Sequence, residues 1–262
     1  MRMKTSRFGA FYLSLFFVIL YLPVLGVILY SFNASPSTAQ WTGFTLDWYR
    51  VLFEDRVIAA SFRISMEVAV ITSIVSAIIG TASAVVAMRA TAGMKRAIQG
   101  VMILPLLIPE VALGIALLVF FNSLNLPFGH FTLVASHSLF CVPYVYIMVQ
   151  LRLKEIDRSI LESARDLGAT RWQATKTIIL PLVMPSIVTA SLLALAMSLD
   201  DVIISTYMSG PKTTTLPVHI FSMMRVGVTP KVNALCTLIL VGMFFVVGLS
   251  QLFTKKIHKE DM

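Results

Sequence analysis

The sequence predicts an all-α fold, a polytopic membrane bundle of six transmembrane helices. Three observations predict it. Of 262 residues, 57% are hydrophobic and only 13% are charged, about half the charged share of an ordinary soluble domain. The mean hydropathy is +0.85. Apolar runs of the length a spanning helix needs, about 20 residues, recur along the whole chain. Helices in such a bundle associate through close packing and polar contacts, without a water-excluded core of the soluble kind.

The six runs lie near Phe8–Ser31, Phe62–Met88, Ile98–Phe121, Phe131–Leu151, Leu182–Met208 and Val232–Phe253. The first follows Arg2, Lys4 and Arg7 and is longer than a signal-peptide apolar core, so it reads as a retained signal-anchor span. Residues 32–61 form the longest segment outside the membrane. Within it, "TLDWYRVLF" offers Thr45 and Asp47 as helix caps and sets Trp48 and Leu52 on one face. This predicts a short helix at the outer interface, with Trp48 as anchor or with a direct part in substrate entry. In the second span, Ser73, Ala77 and Gly80 recur at a spacing that lets helices approach closely.

Orientation follows from the basic residues. With both termini on one side, that side carries fifteen of the 21 lysines and arginines, and the positive-inside rule makes it the cytoplasm. The net charge of +8 is spread around apolar runs and forms no basic stripe, which excludes nucleic-acid binding. Cys141 and Cys236 lie in apolar context and read as reduced packing residues.

Between the fourth and fifth spans, residues 152–181 are polar and patterned. Ser159 and Glu162 form an S-x-x-E capping pattern. Ile160, Leu161, Ala164 and Leu167 make an apolar stripe, and Gly168 follows where a helix ends in the left-handed conformation. Thr170 and Gln173 repeat the capping pattern and open a second helix over Arg171–Leu180. Pro181 separates that helix from the fifth span or kinks it into it. A mere connection is a few residues long; a helix pair on the inner surface predicts a docking element for a soluble partner. Trp172 packs against membrane or partner.

Three acids stand inside apolar runs: Glu110, Asp200 and Asp201. An aspartate costs about 2.5–3.5 kcal/mol at a helix centre, and such residues normally face a cavity and mark a pathway. At helical rise, Asp200 lies roughly 27 Å and Glu110 roughly 18 Å from the inner ends of their spans. Both depths are in the outer half. Pro105 and Pro109 bend the third span near Glu110. No lysine or arginine sits at matching depth, so an arriving ammonium group can neutralise the acids. Asp200 and Asp201 diverge by about 100° on one helix; at most one points straight into the pathway. Structural acids near the outer interface remain the competing reading. Tyr144, Tyr146, Tyr207 and Met208 are candidate walls. His130, His137 and His219 lack metal-ligand spacing and read as structural or interfacial.

The segment with Glu162, Ser163, Ala164, Gly168 and "IILP" at Ile178–Pro181 resembles the EAA loop of ABC-importer permeases; Ser163 replaces the common alanine. In that family the loop forms the coupling helix that docks on the ATPase subunit. "SLDDVIISTYMSGP" from Ser198, "MMRVGVTPKVNALCT" from Met223, "LPLLIPEVALGIALLVFF" from Leu104 and "FTLDWYRVLF" around Trp48 resemble permeases of the spermidine/putrescine type, C-type subunit. The resemblance runs almost end to end.

That resemblance implies a type I importer core in a bacterial inner membrane, translocating polyamines into the cytoplasm. It implies a second, related permease as heterodimer partner, an ATPase homodimer, an external polyamine-binding protein and surrounding lipid. It implies no cofactor on this chain, with ATP and Mg on the ATPase. The candidate substrate pathway is Glu110, Asp200, Asp201, Ser198 and Trp48; the candidate coupling residues are Glu162, Ser163, Ala164 and Gly168. The chain has no G-x-x-x-x-G-K-[ST] phosphate loop and no H-E-x-x-H pair, which argues against an ATPase site and a zinc-protease site in it. A permease for another small solute and a cation channel are the alternatives.

Overall fold

A computed structural model describes residues 7–242 and 244. Helices dominate; the one extended pairing among the described residues is an isolated bridge between Asn33 and Phe44. The chain divides into two units, one formed by residues to Ala59 together with those from Ile220, the other by Ala60–His219.

In the first unit, α1 (Arg7–Tyr30) is apolar all round and its most apolar window is entirely unburied. Such a surface needs lipid or protein against it. The chain then winds around Asn33, whose amide donates to the Ser37 and Gln40 carbonyls and accepts from the Ser35 and Thr42 amides. The short helix expected around Trp48 is α2 (Asp47–Glu54). Its N-cap is Leu46, with no side-chain cap; Thr45 Oγ1 instead accepts from the Asp47 amide and donates to its carboxylate. Asp55 opens α3 (Arg56–Arg89), accepting from the Val57 and Ile58 amides. Lys231 Nζ lies 2.6 Å from its carboxylate and holds it below the ordinary carboxyl range. The expected sixth span begins in a helix, α12 (Pro230–Gly242); the rest of Val232–Phe253 falls outside the described residues except Phe244.

The second unit holds most of α3, then α4 (Ala92–Leu107), α5 (Glu110–Ser123) and α6 (His130–Glu155). α7 (Arg158–Asp166) and α8 (Arg171–Ala174) follow. A π-helical turn (Thr175–Ile179) leads into α9 (Leu180–Asp200) and α10 (Ile203–Met208). α11 (Leu216–Val226) leads out of it. α3, α6 and α9 share a core containing Ala84, Ala87, Val145, Val149, Val183 and Ala190. Small residues permit the contact: a Cβ on Gly80 would fall 2.7 Å from Val145 Cβ, and Ser73 Oγ donates to the Ser191 carbonyl at 2.6 Å.

Two expected spans are corrected. The third is not one bent helix: α4 and α5 meet at 105°. Ile108 is extended (φ −90°, ψ 128°) and Pro109 caps α5, because a residue before proline is pushed out of the helical region. The fifth, Leu182–Met208, is broken at Asp201, which is extended (φ −67°, ψ 123°). Among the described residues, four helices are long and apolar enough to cross a membrane, or five if α4 and α5 count as one span.

Candidate substrate cleft and coupling segment

The two breaks face the same cleft. It has a volume of about 450 Å³ and is lined by Glu110, Asp200 and Asp201 together with Leu113, Phe140, Tyr144, Met197 and Ile204. The structure thus brings together the three acids that the sequence singled out, although their local settings differ from expectation. Glu110 is not partway along a continuous helix. It opens α5, in the first turn, where the positive end of the helix dipole favours a carboxylate. The 105° bend also means that rise along one axis no longer measures its depth. Asp200 and Asp201 do not diverge on one helix, because Asp201 lies beyond the end of α9.

The adjacent aspartates have separate roles. Asp201 is buried, with 6% of its surface exposed. Its carboxylate accepts from the amides of Ile204 and Ser205 at 3.3 and 2.6 Å and so caps α10. His137 Nε2 approaches it at 3.2 Å. A carboxylate can only accept, so Nε2 carries the proton on that side. Ser205 Oγ lies 3.0 Å from the same nitrogen and Ser198 Oγ 2.7 Å from Nδ1. A buried carboxylate is tolerable when its oxygens are satisfied in this way.

Asp200 and Glu110 are exposed in the cleft, and neither forms an ion pair among the described residues. Two acidic side chains therefore face the cleft beside apolar walls, and Glu110 also lies within hydrogen-bonding reach of Asp201. Of the other candidates, Ser198 is buried behind the cleft on His137. Trp48 belongs to the first unit, where its indole donates to the Asn33 carbonyl at 2.8 Å, and it does not line this cleft. Tyr144 is a wall, Tyr146 and Met208 are buried, and Tyr207 packs on Gly114, where a Cβ would come within 2.6 Å of its ring. His137 was not a site candidate in the sequence, which placed it only as structural or interfacial; nothing local connects it with Asp201.

The segment 152–181 contains the expected helix pair. α7 starts earlier than expected: Asp157, not Ser159, is the cap, accepting from the Ser159 amide at 3.0 Å. That bond holds the Asp157 carboxyl below its usual range. An aspartate caps as well as a serine, so the earlier residue takes the position. At the other end Gly168 has φ +84°, and the Ala169 amide reaches the Ala164 carbonyl at 2.9 Å. This is the six-to-one bond of a Schellman turn. Thr170 and Gln173 form the expected reciprocal box.

The second helix is α8 running through the π turn into α9 without separation. Pro181 cannot donate to the carbonyl four residues back, and the π turn lies immediately before α9, where Leu180 bonds to the Thr175 carbonyl. Glu162 and Ser163 are exposed and Ala164 is buried. Leu167 and Trp172 are 89% and 73% exposed, which leaves an apolar surface on the pair. Arg89, at the end of α3, donates to the Arg171 carbonyl and to Thr175 Oγ1.

Residues 76–259 match the family of binding-protein-dependent transport system inner membrane components, and the chain belongs to that family. It is 36% identical over 244 residues to the spermidine/putrescine transport system permease protein PotC of Escherichia coli K12, covering 93% of this chain and 92% of that one. It is 40% identical over 241 residues to the putrescine transport system permease protein PotI of the same organism, covering 88% and 85%. Its fold matches a bacterial ABC transporter involved in alginate import with a TM-score of 0.77 at 15% identity, covering 96% of this chain and 98% of that one.

Proposed function

We propose that this chain is the membrane permease subunit of an ATP-driven importer that carries polyamines, spermidine or putrescine or both, into the cytoplasm. The observation that carries the reading is the cleft. Glu110 and Asp200 lie exposed in one cleft with apolar walls, and among the described residues no cation pairs with either. A polyamine carries ammonium groups separated by methylene stems, so spaced acids and apolar walls suit it. The likeness to PotC and PotI, whose names specify spermidine and putrescine, supports the same substrate class.

In this reading both termini and residues 152–181 are cytoplasmic, and residues 32–61 are external with Trp48 as an interfacial anchor. Asp201, His137 and Ser198 hold the broken end of α9 so that Asp200 faces the cleft. The helix pair containing Glu162, Ser163, Ala164 and Gly168 docks on an ATPase homodimer that binds ATP and Mg. A second, related permease completes the pathway, and an external binding protein delivers substrate, as the family's description implies. Closure of the ATPases moves the coupling helices and opens the cleft outward; hydrolysis resets it. The test is uptake of radiolabelled putrescine and spermidine by cells lacking other polyamine importers and expressing this chain with its ATPase, second permease and binding protein. ATP-dependent accumulation is expected. An assembled complex that accumulates neither contradicts the reading.

A further inference from the structure

A second cleft, about 530 Å³ in volume, lies between the helix pair and the ends of α3, α4 and α6. Arg89, Lys95, Lys154 and Arg171 line it, with Glu162 as the one acid. The cations come from four different elements, so no single helix face explains their meeting. Among the described residues, Lys95, Lys154 and Arg171 form no ion pair. Arg89 is committed to the Arg171 carbonyl and Thr175 and contributes charge in place. The cleft is therefore a fixed concentration of positive charge in need of an anion. Apart from Gln150, its remaining wall is apolar: Met88, Leu153, Ile156, Ala174 and Ile179.

We infer that this cleft binds a phosphate group, and specifically the phosphodiester of an anionic lipid. Lysine serves phosphate as a point charge and arginine as a fork of donors. A basic pocket between spans on the cytoplasmic side suits an anionic head group. A free phosphate would use the charges alone; a lipid uses the charges and the apolar wall together, which favours the lipid. Through Arg171 and Lys154 the bound head group would touch both the helix pair and the end of α6. The inference rests on the importer reading for its orientation, with this face toward the cytoplasm.

Native mass spectrometry of the purified importer complex, taken from nanodiscs of phosphatidylglycerol and phosphatidylcholine mixed equally, tests it. The parent retains phosphatidylglycerol preferentially, and Lys95→Gln with Lys154→Gln reduces that preference by about tenfold. Lys154→Arg keeps the charge and keeps the preference, which separates the site from a folding defect. Excess inorganic phosphate leaves the retained lipid in place. Equal retention of both lipids by the parent, or displacement by inorganic phosphate, overturns the lipid assignment. An unchanged preference in the double variant, with the ATPase lost from the complex, would reassign the cleft to the ATPase interface. A complex that assembles and transports yet shows no lipid preference rejects this site alone; one that never assembles with an ATPase rejects the importer reading.

Discussion

His137 Nε2 lies 3.2 Å from Asp201 Oδ2, with neither side chain more than 1% exposed. This contact joins α6 to the break between α9 and α10, and it separates the two adjacent aspartates into a buried cap and an exposed acid. Truncating His137 to alanine strands a buried carboxylate. The expected loss is about 3–5 kcal/mol, read as a lower thermal midpoint of the detergent-purified complex. Asp201→Asn keeps one acceptor oxygen but sets an NH2 against either the Ile204 amide or the Ser205 amide and His137, so it too is expected to lower the midpoint. Equal midpoints for His137→Ala and the parent would show that the contact contributes nothing.

Gly168→Pro tests the docking role of the helix pair. The φ of +84° at Gly168 is closed to proline, whose ring fixes φ near −65°. Proline there misplaces α8. Membrane insertion is expected to persist while the ATPase no longer co-purifies. Glu162→Ala is the milder comparison: Asp157, not Ser159, caps α7, so the capping box first assigned to Glu162 is absent and the variant should leave α7 intact. A full complement of ATPase bound to Gly168→Pro would remove the coupling assignment.

Arg89→Gln loosens the tie between α3 and the start of the π turn. Because Arg89 holds the Arg171 carbonyl and Thr175, its loss should leave the ATPase attached and transmit its motion less well. The expected result is ATP hydrolysis in proteoliposomes near the parent rate with uptake reduced several-fold, since a charged donor's hydrogen bond contributes about 1.5–3 kcal/mol. Parallel loss of hydrolysis and uptake would instead mark Arg89 as part of ATPase assembly.

Much of the coupling segment was legible because its signals are local. Gly168, Thr170 and Gln173 act within a few residues of themselves, and each behaves as its neighbours dictate. Pro109 likewise announced a disturbance beside Glu110, though not its size: a 105° turn depends on how α5 packs against α10. The break at Asp201 was not legible. Leu182–Met208 reads as one apolar run, with no glycine or proline near Asp201, and the capping of α10 emerges only once the chain turns there. His137 and Arg89 act on segments far away in sequence, so no spacing rule could pair them with Asp201 or Thr175. The meeting of Glu110 with Asp200 and Asp201 was inferred from shared chemistry and is a tertiary fact.

The central claim is that Glu110 and Asp200 receive the substrate's ammonium groups. It is tested most directly by radiolabelled polyamine uptake with the Glu110→Gln and Asp200→Asn variants, singly and together, with assembly of the complex checked in parallel. Each single change removes a charge-assisted contact worth about 1.5–3 kcal/mol, so uptake efficiency should fall by about tenfold or more and further in the double variant, while the complex stays assembled. Transport by the assembled double variant at the parent rate would contradict the account and leave these acids as structural residues.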